Sequence, residues 1–347
     1  MGGTLRPTLA ALQAYQPEAP EGDAPLDANE NPLAPPEGFM AEAQARLAGL
    51  ALNRYPDPRA EGLRSRLAAL HGLPPEALVF GNGSDELIAL LLTAFGGGEA
   101  LCLLPQPTFS LYRLCALGQG WRVEERPLDE AAGWDLDDAF VESAHALRPR
   151  LIFLASPNNP TGKAFDPAKV DALRGLPGCT LVLDEAYVEF GGRSLLKAAA
   201  GEDGLVVLRT FSKAWGLAGL RLGWLACAPA LAAELEKLRL PYNLDTVSQT
   251  LGELALDRAE TFLGRVPALL ARRDRLRELL ETLPGALCYP SDANFILFRH
   301  AQAQEMHAAL LRAGLRTRRF GAGALESCLR ISVGSAEQME RLEAVLA

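Results

Sequence analysis

Lys213 stands in the run Arg209-Thr-Phe-Ser-Lys-Ala-Trp-Gly-Leu-Ala-Gly-Leu-Arg221-Leu-Gly-Trp224, with a hydroxyl just before it at Ser212 and a guanidinium further on at Arg221. The run follows Leu205-Val-Val-Leu208, an apolar stretch that reads as a buried strand. A lysine in a dry, glycine-lined turn is expected to hold its proton less tightly, because desolvation and neighbouring cations disfavour the ammonium, and a neutral amine attacks carbonyl carbon. The reactant this calls for is an aldehyde cofactor bearing a phosphate, with Ser212 and Arg221 as phosphate donors. Taken alone, Lys213 would read as a surface residue beside a loop.

Other strand ends change that balance. Thr180-Leu-Val-Leu183 runs into Asp184-Glu-Ala-Tyr187, Leu151-Ile-Phe-Leu-Ala155 into Ser156-Pro-Asn-Asn159-Pro-Thr-Gly162, and Leu78-Val-Phe80 into Gly81-Asn-Gly83-Ser84-Asp85-Glu86. Ligands of open α/β sheets bind outside the carboxyl ends of the strands, so four such ends deliver polar clusters to one edge. A carboxylate closing an apolar strand, as Asp184 does, is costly unless it has a partner. Gly83, Ser84 and Asp85 precede an apolar helix and can turn their amides toward an anion. With Glu86 in the last place, the string fails as a Gly-x-Gly-x-x-Gly dinucleotide fingerprint.

The elements that must position these groups follow from composition and pattern. A chain of 347 residues with 49% apolar and 22% charged residues can build a large core and two domains. A formal charge of −9 argues against nucleic acid as a partner and against a DNA-binding regulator. Six scattered cysteines form no Cys-x-x-Cys pair, and four isolated histidines offer no metal cluster. No leader-like apolar region and no membrane-length run is seen, so a cytoplasmic protein is expected.

Between Leu78 and Cys227 short apolar runs alternate with helical stretches, the pattern of an α/β fold with a mostly parallel sheet covered by helices on both faces. Asp57-Pro58 predicts a helix start with Asp57 as cap and Leu63, Leu67 and Leu70 on its apolar face. Residues 231–240 and 266–283 read as amphipathic helices, the second carrying a stripe of Leu269, Leu270, Leu276, Leu279 and Leu280. Strand candidates at 295–298, 315–318 and 329–333, flanked by helices, predict a smaller α+β domain. The expected organisation is an arm over 1–29 packing with the small domain, a large domain over 30–265 and a small one over 266–347. In the basic cluster Arg316-Thr-Arg318-Arg319, Arg316 and Arg319 read as charges on a solvated edge strand.

These motifs, with Leu26-Asp-Ala-Asn29-Glu-Asn-Pro32, Arg54-Tyr55-Pro56, Asp292-Ala-Asn294-Phe and Leu329-Arg330-Ile-Ser-Val-Gly334, resemble the fold-type I pyridoxal-phosphate transferases. Within that fold the resemblance is to the histidinol-phosphate aminotransferase family and covers almost the whole chain. It implies pyridoxal 5'-phosphate as cofactor, joined to Lys213 as a Schiff base, with Lys213, Asp184 and Tyr187 as the catalytic set. Asp184 would face the pyridine nitrogen, where a carboxylate keeps the ring cationic. Tyr187 and Asn159 would bond the phenolic oxygen. Gly83, Ser84, Asp85, Thr210, Ser212 and Arg221 would hold the phosphate. Phe109 would stack on the ring where the family commonly has a tyrosine.

The resemblance further implies a homodimer in which Tyr55 reaches the neighbouring active site. Arg330 and Arg318 would bind the anionic end of the substrate, with Tyr15 and Asn29 at the entrance. The activity implied is ping-pong transfer from L-histidinol phosphate to 2-oxoglutarate, giving imidazole-acetol phosphate and L-glutamate. Aromatic-amino-acid aminotransferases and threonine-phosphate decarboxylases share most of these motifs and remain alternatives.

Overall fold

A computed structural model of the chain describes Leu12, residues 22–321 and residues 323–346, and in it the apolar runs fall into two sheets. The first strand, β1 (Ala24–Leu26), belongs to the smaller sheet. The next seven are β2 (Leu78–Asn82), β3 (Leu101–Gln106), β4 (Arg122–Pro127), β5 (Leu151–Ala155), β6 (Thr180–Asp184), β7 (Leu205–Thr210) and β8 (Leu222–Cys227). They form the larger sheet in the order β2-β8-β7-β6-β5-β3-β4. Strands β9 (Leu287–Cys288), β10 (Phe295–Arg299), β11 (Leu315–Arg319) and β12 (Cys328–Ser332) complete the smaller one, ordered β1-β11-β12-β10-β9.

Every residue of β5, β6, β7 and β8 is buried, which is why these strands read as unbroken apolar runs rather than alternating ones. Leu205 and Val207 enter the core on one face of the sheet, and Val206 and Leu208 the core on the other. Pairing is parallel from β4 through β3, β5 and β6 to β7, whereas β8 is antiparallel to both β7 and β2. The reversal matters for the site. It brings the start of β8, and with it Arg221, to the edge where β2, β5, β6 and β7 end.

Three expectations need correction. The helix after Asp57 begins at Glu61 behind a left-handed Ala60 (φ 48°). Asp57 caps from a distance, its carboxylate accepting from the N–H groups of Arg59 (2.9 Å) and Glu61 (2.7 Å), so Pro58 lies in the preceding turn. Leu63 and Leu67 are buried, but Leu70, near the end of the helix, is exposed. The 231–240 stretch forms a shorter helix, Pro229–Glu236, while Val266–Glu281 buries Leu269, Leu276 and Leu280. Finally, β11 is not an edge strand. β1 covers it in parallel register, Pro25 opposite Arg316, and Arg316 Nε lies 3.5 Å from the Asp27 carboxylate with its side chain mostly buried.

A charged cluster supports the lysine-bearing loop from below. Arg209, near the end of β7, is buried and pairs with Glu185 (3.0 Å) and Glu189 (2.7 Å). Burial pushes both carboxyls up and the guanidinium pulls them back down. Arg209→Met would strand two buried carboxylates, so urea denaturation at pH 8 is expected to show a loss of about 3–5 kcal/mol. A loss below 1 kcal/mol, as for a typical exposed pair, would contradict this role.

Candidate active site

The edge shared by these strands opens into a cavity of about 360 Å³. Asp184, the last residue of β6, lies at its floor, 5% exposed. Its Oδ2 accepts from the Tyr112 hydroxyl (2.6 Å) and its Oδ1 from the Ala186 N–H (3.0 Å). Burial raises the Asp184 carboxyl to about 6 against the lowering effect of both hydrogen bonds. An acid in this position has its charge poised for a cation brought into the cavity.

Lys213 follows β7 and is half-buried rather than sealed away from solvent. Its ammonium donates to the Ala28 carbonyl (2.8 Å) and lies 5.7 Å from the centre of the Tyr187 ring. The chain leaving β1 thus meets the Lys213 amine through the Ala28 carbonyl. Arg330 on β12 enters the same cavity, is 7% exposed, and donates to Asn159 Oδ1 and to the Asp27 carbonyl. Phe109 lines the wall and packs edge-on against Tyr112, their centroids 5.5 Å apart.

Part of the cavity wall carries the groups expected to meet an anion. Ser84 and Asp85, both in its lining, lie in the first turn of the helix Gly83–Phe95, where the N–H groups have no intrahelical acceptor. Gly83 (φ 75°) contributes by shape: its own N–H donates to the Arg221 carbonyl (2.6 Å), and a Cβ would stand 2.5 Å from the Arg221 guanidinium. Gly223 permits the approach of this turn to β8, since a Cβ there would meet Ser84 N at 2.4 Å. Arg221 pairs with Asp85 at 3.1 Å. The Thr210 hydroxyl donates to Ser212 Oγ (2.9 Å) and accepts from the Ser212 N–H (3.0 Å), holding the turn that leads to Lys213.

Twelve of the residues singled out in the sequence line this one cavity: Asn29, Ser84, Asp85, Phe109, Asn159, Asp184, Tyr187, Thr210, Ser212, Lys213, Arg221 and Arg330. Others stand apart from its walls. Gly83 is behind the turn, and Arg318 lies on β11 with its Cα opposite that of Arg330. Tyr55 is 80% exposed, stacked on Tyr242 at 4.4 Å. Tyr15 lies outside the described residues. Asn29 lines the cavity but is buried, with its side chain engaged by Tyr187 and Ser332 rather than open to the entrance. Tyr112 and Arg209 were not legible as site residues. The signal for Tyr112 was its place three residues after Phe109, on the same helical face.

Fold and site together define a fold-type I transferase: a sheet covered on both faces with a lysine, a buried carboxylate and an arginine gathered at its carboxyl edge. The chain belongs to the aminotransferase class I and II family, which matches residues 23–346. It is 39% identical over 339 residues to histidinol-phosphate aminotransferase 1 of Carboxydothermus hydrogenoformans, covering 97% of this chain and 96% of that one. The histidinol-phosphate aminotransferase of Methylibium petroleiphilum is 39% identical over 350 residues, covering 99% and 93%. Among solved structures, histidinol-phosphate aminotransferase from Sinorhizobium meliloti in complex with pyridoxal-5'-phosphate superposes with a TM-score of 0.89 at 24% identity, covering 99% and 96%.

Proposed function

We propose that this chain is a histidinol-phosphate transaminase of histidine biosynthesis, transferring the amino group of L-histidinol phosphate to 2-oxoglutarate with pyridoxal 5'-phosphate as cofactor. The observation that carries this reading is the meeting of Lys213, Asp184 and Arg330 in one cavity that also has an anion-binding end. The residues present fit the cofactor. The buried Asp184 carboxyl needs a cation, and the turn before Gly83–Phe95 with Arg221 suits a phosphate.

When bound, the cofactor supplies an electrophilic aldehyde and an electron-accepting ring. Lys213 would hold its aldehyde carbon, Asp184 its ring nitrogen, and Phe109 its ring face. Asn159 and Tyr187 would meet the phenolic oxygen, while Ser84, Asp85, Thr210, Ser212 and Arg221 would take the phosphate. Lys213, as the free amine, would be the base that takes the proton from the substrate α-carbon. Arg330 binds the anionic end of either substrate, because a guanidinium fork suits carboxylate and phosphate oxygens alike. Arg318, on the neighbouring strand, supports the same anion. We further read the enzyme as a cytoplasmic homodimer with large and small domains meeting near residue 265, in which the exposed Tyr55 reaches the partner's phosphate site.

Substrate choice is tested by assaying histidinol phosphate, phenylalanine and threonine phosphate side by side, with histidinol phosphate expected to give the highest kcat/KM. Carbon dioxide release from threonine phosphate would overturn the aminotransferase reading. Arg330→Ala is expected to lower kcat/KM for histidinol phosphate about ten- to a hundredfold, the loss of a charge-assisted hydrogen bond. An unchanged ratio would remove Arg330 from substrate binding.

A further inference from the structure

Asn29 has a left-handed backbone (φ 55°), rare outside glycine though tolerated by asparagine, and is 1% exposed. All its polar groups are engaged. Its N–H donates to Ser332 Oγ (2.9 Å), its Oδ1 accepts from the Ser332 hydroxyl (2.9 Å), its Nδ2 donates to the Tyr187 hydroxyl (2.9 Å), and its carbonyl accepts from Asn294 Nδ2 (3.0 Å). The two preceding carbonyls hold the other functional groups, Asp27 taking Arg330 and Ala28 taking Lys213.

The hydrogen bonds around Asn29 run in one consistent sense. The Ser332 oxygen accepts from the Asn29 N–H, and its hydroxyl donates to Asn29 Oδ1. The carboxamide oxygen is thereby claimed, and the amide nitrogen is what faces Tyr187. An amide nitrogen only donates. The Tyr187 oxygen therefore accepts on that side, and its own hydrogen is turned toward the cavity.

We propose that Asn29, locked by Ser332, is a positioning residue that sets the Tyr187 hydroxyl to donate into the cavity instead of accepting there. This rests on the reading above, in which an oxyanion of the cofactor meets Tyr187. A donated hydrogen bond favours that oxyanion and so eases loss of the proton that titrates with the cofactor's visible band. The charged groups facing the same space are Asp184 at the end of β6, Lys213 after β7, Arg330 on β12, Asp27 and Glu30 beside Asn29, and the Asp85–Arg221 pair. All are common to the variants that test the idea.

The test is a pH titration of the visible absorption of the cofactor-loaded full chain, with cofactor retention followed by equilibrium dialysis. Asn29→Asp cannot donate and takes the Tyr187 hydrogen for itself, so the midpoint is expected to rise by about one pH unit or more, tenfold in the proton equilibrium. Asn29→Ala and Ser332→Ala add no charge and are expected to move it the same way by less. Cofactor should be held about tenfold more weakly by Asn29→Ala. Midpoints unmoved in all three, with only the melting temperature lowered, would show that Asn29 merely packs and would overturn the inference alone. A wild-type protein with no Lys213-dependent visible band would instead sink the functional reading on which it rests.

Discussion

Lys213→Ala is expected to lower kcat for amino transfer by about 10⁴-fold, the upper end of what a positioned proton-transfer group contributes. The fold should survive. Among the described residues Lys213 makes one hydrogen bond, to the Ala28 carbonyl, and one ring contact, to Tyr187, and together these are worth only about 1–2 kcal/mol. Lys213→Arg sharpens the test, because a guanidinium keeps the charge and can still reach a carbonyl. It stays protonated at any working pH, however, and cannot accept a proton or attack an aldehyde. It should therefore be as inactive as the alanine variant in a single-turnover assay with histidinol phosphate. Retention of a tenth of wild-type activity by Lys213→Arg would mean that positive charge, not the amine, is what the site uses.

The difference between what could and could not be read from the chain follows from how far each signal extends. Strand ends were legible because a fully buried strand shows as an unbroken apolar run, and the first polar residue after it marks the sheet edge. That alone gathered Asp184, Asn159, Lys213 and the Gly83 turn. The contribution of Arg221 was visible in type but not in cause, since it reaches the edge only because β8 runs against its neighbours.

Contacts set by strand order were out of reach. Arg209 meets Glu185 because β6 and β7 are adjacent, and Arg316 is covered because a three-residue strand from the N-terminal side lies on β11. Asn29 and Tyr187 lie 158 residues apart in sequence. Local chemistry also misled at Asp57, where an aspartate before proline caps through a turn rather than at the helix start. Tyr112 was the one site residue with an argument waiting for it: a carboxylate that closes an apolar strand needs a buried donor, and a tyrosine one helical turn from Phe109 is well placed to supply it.

Asp184→Asn should separate stability from function at a single atom. In the folded, ligand-free protein the Asp184 carboxyl is raised from 3.8 to about 6, chiefly by burial. Between those values the folded state holds a proton that the unfolded chain has released, so stability falls as pH rises through this window and stays reduced above it. The gap of about two pH units corresponds to about 3 kcal/mol at neutral pH. Asparagine keeps the contact with the Ala186 N–H through its oxygen but reverses the one with Tyr112, its amide donating to the tyrosine oxygen, whose own hydrogen then loses its carboxylate acceptor and takes back part of the gain. Ligand-free Asp184→Asn is therefore expected to be more stable than wild type by up to about 3 kcal/mol at pH 8, with the difference shrinking toward pH 4. Activity should move the other way, with kcat lower by about 10²–10³-fold, because the site has lost the charge it holds ready for a cation. Cofactor should also stabilise wild type more than the variant, since only wild type has a buried charge for it to neutralise. A variant less stable than wild type at pH 8 would mean that the ligand-free site already neutralises Asp184, and the strain assigned to this carboxylate would be absent.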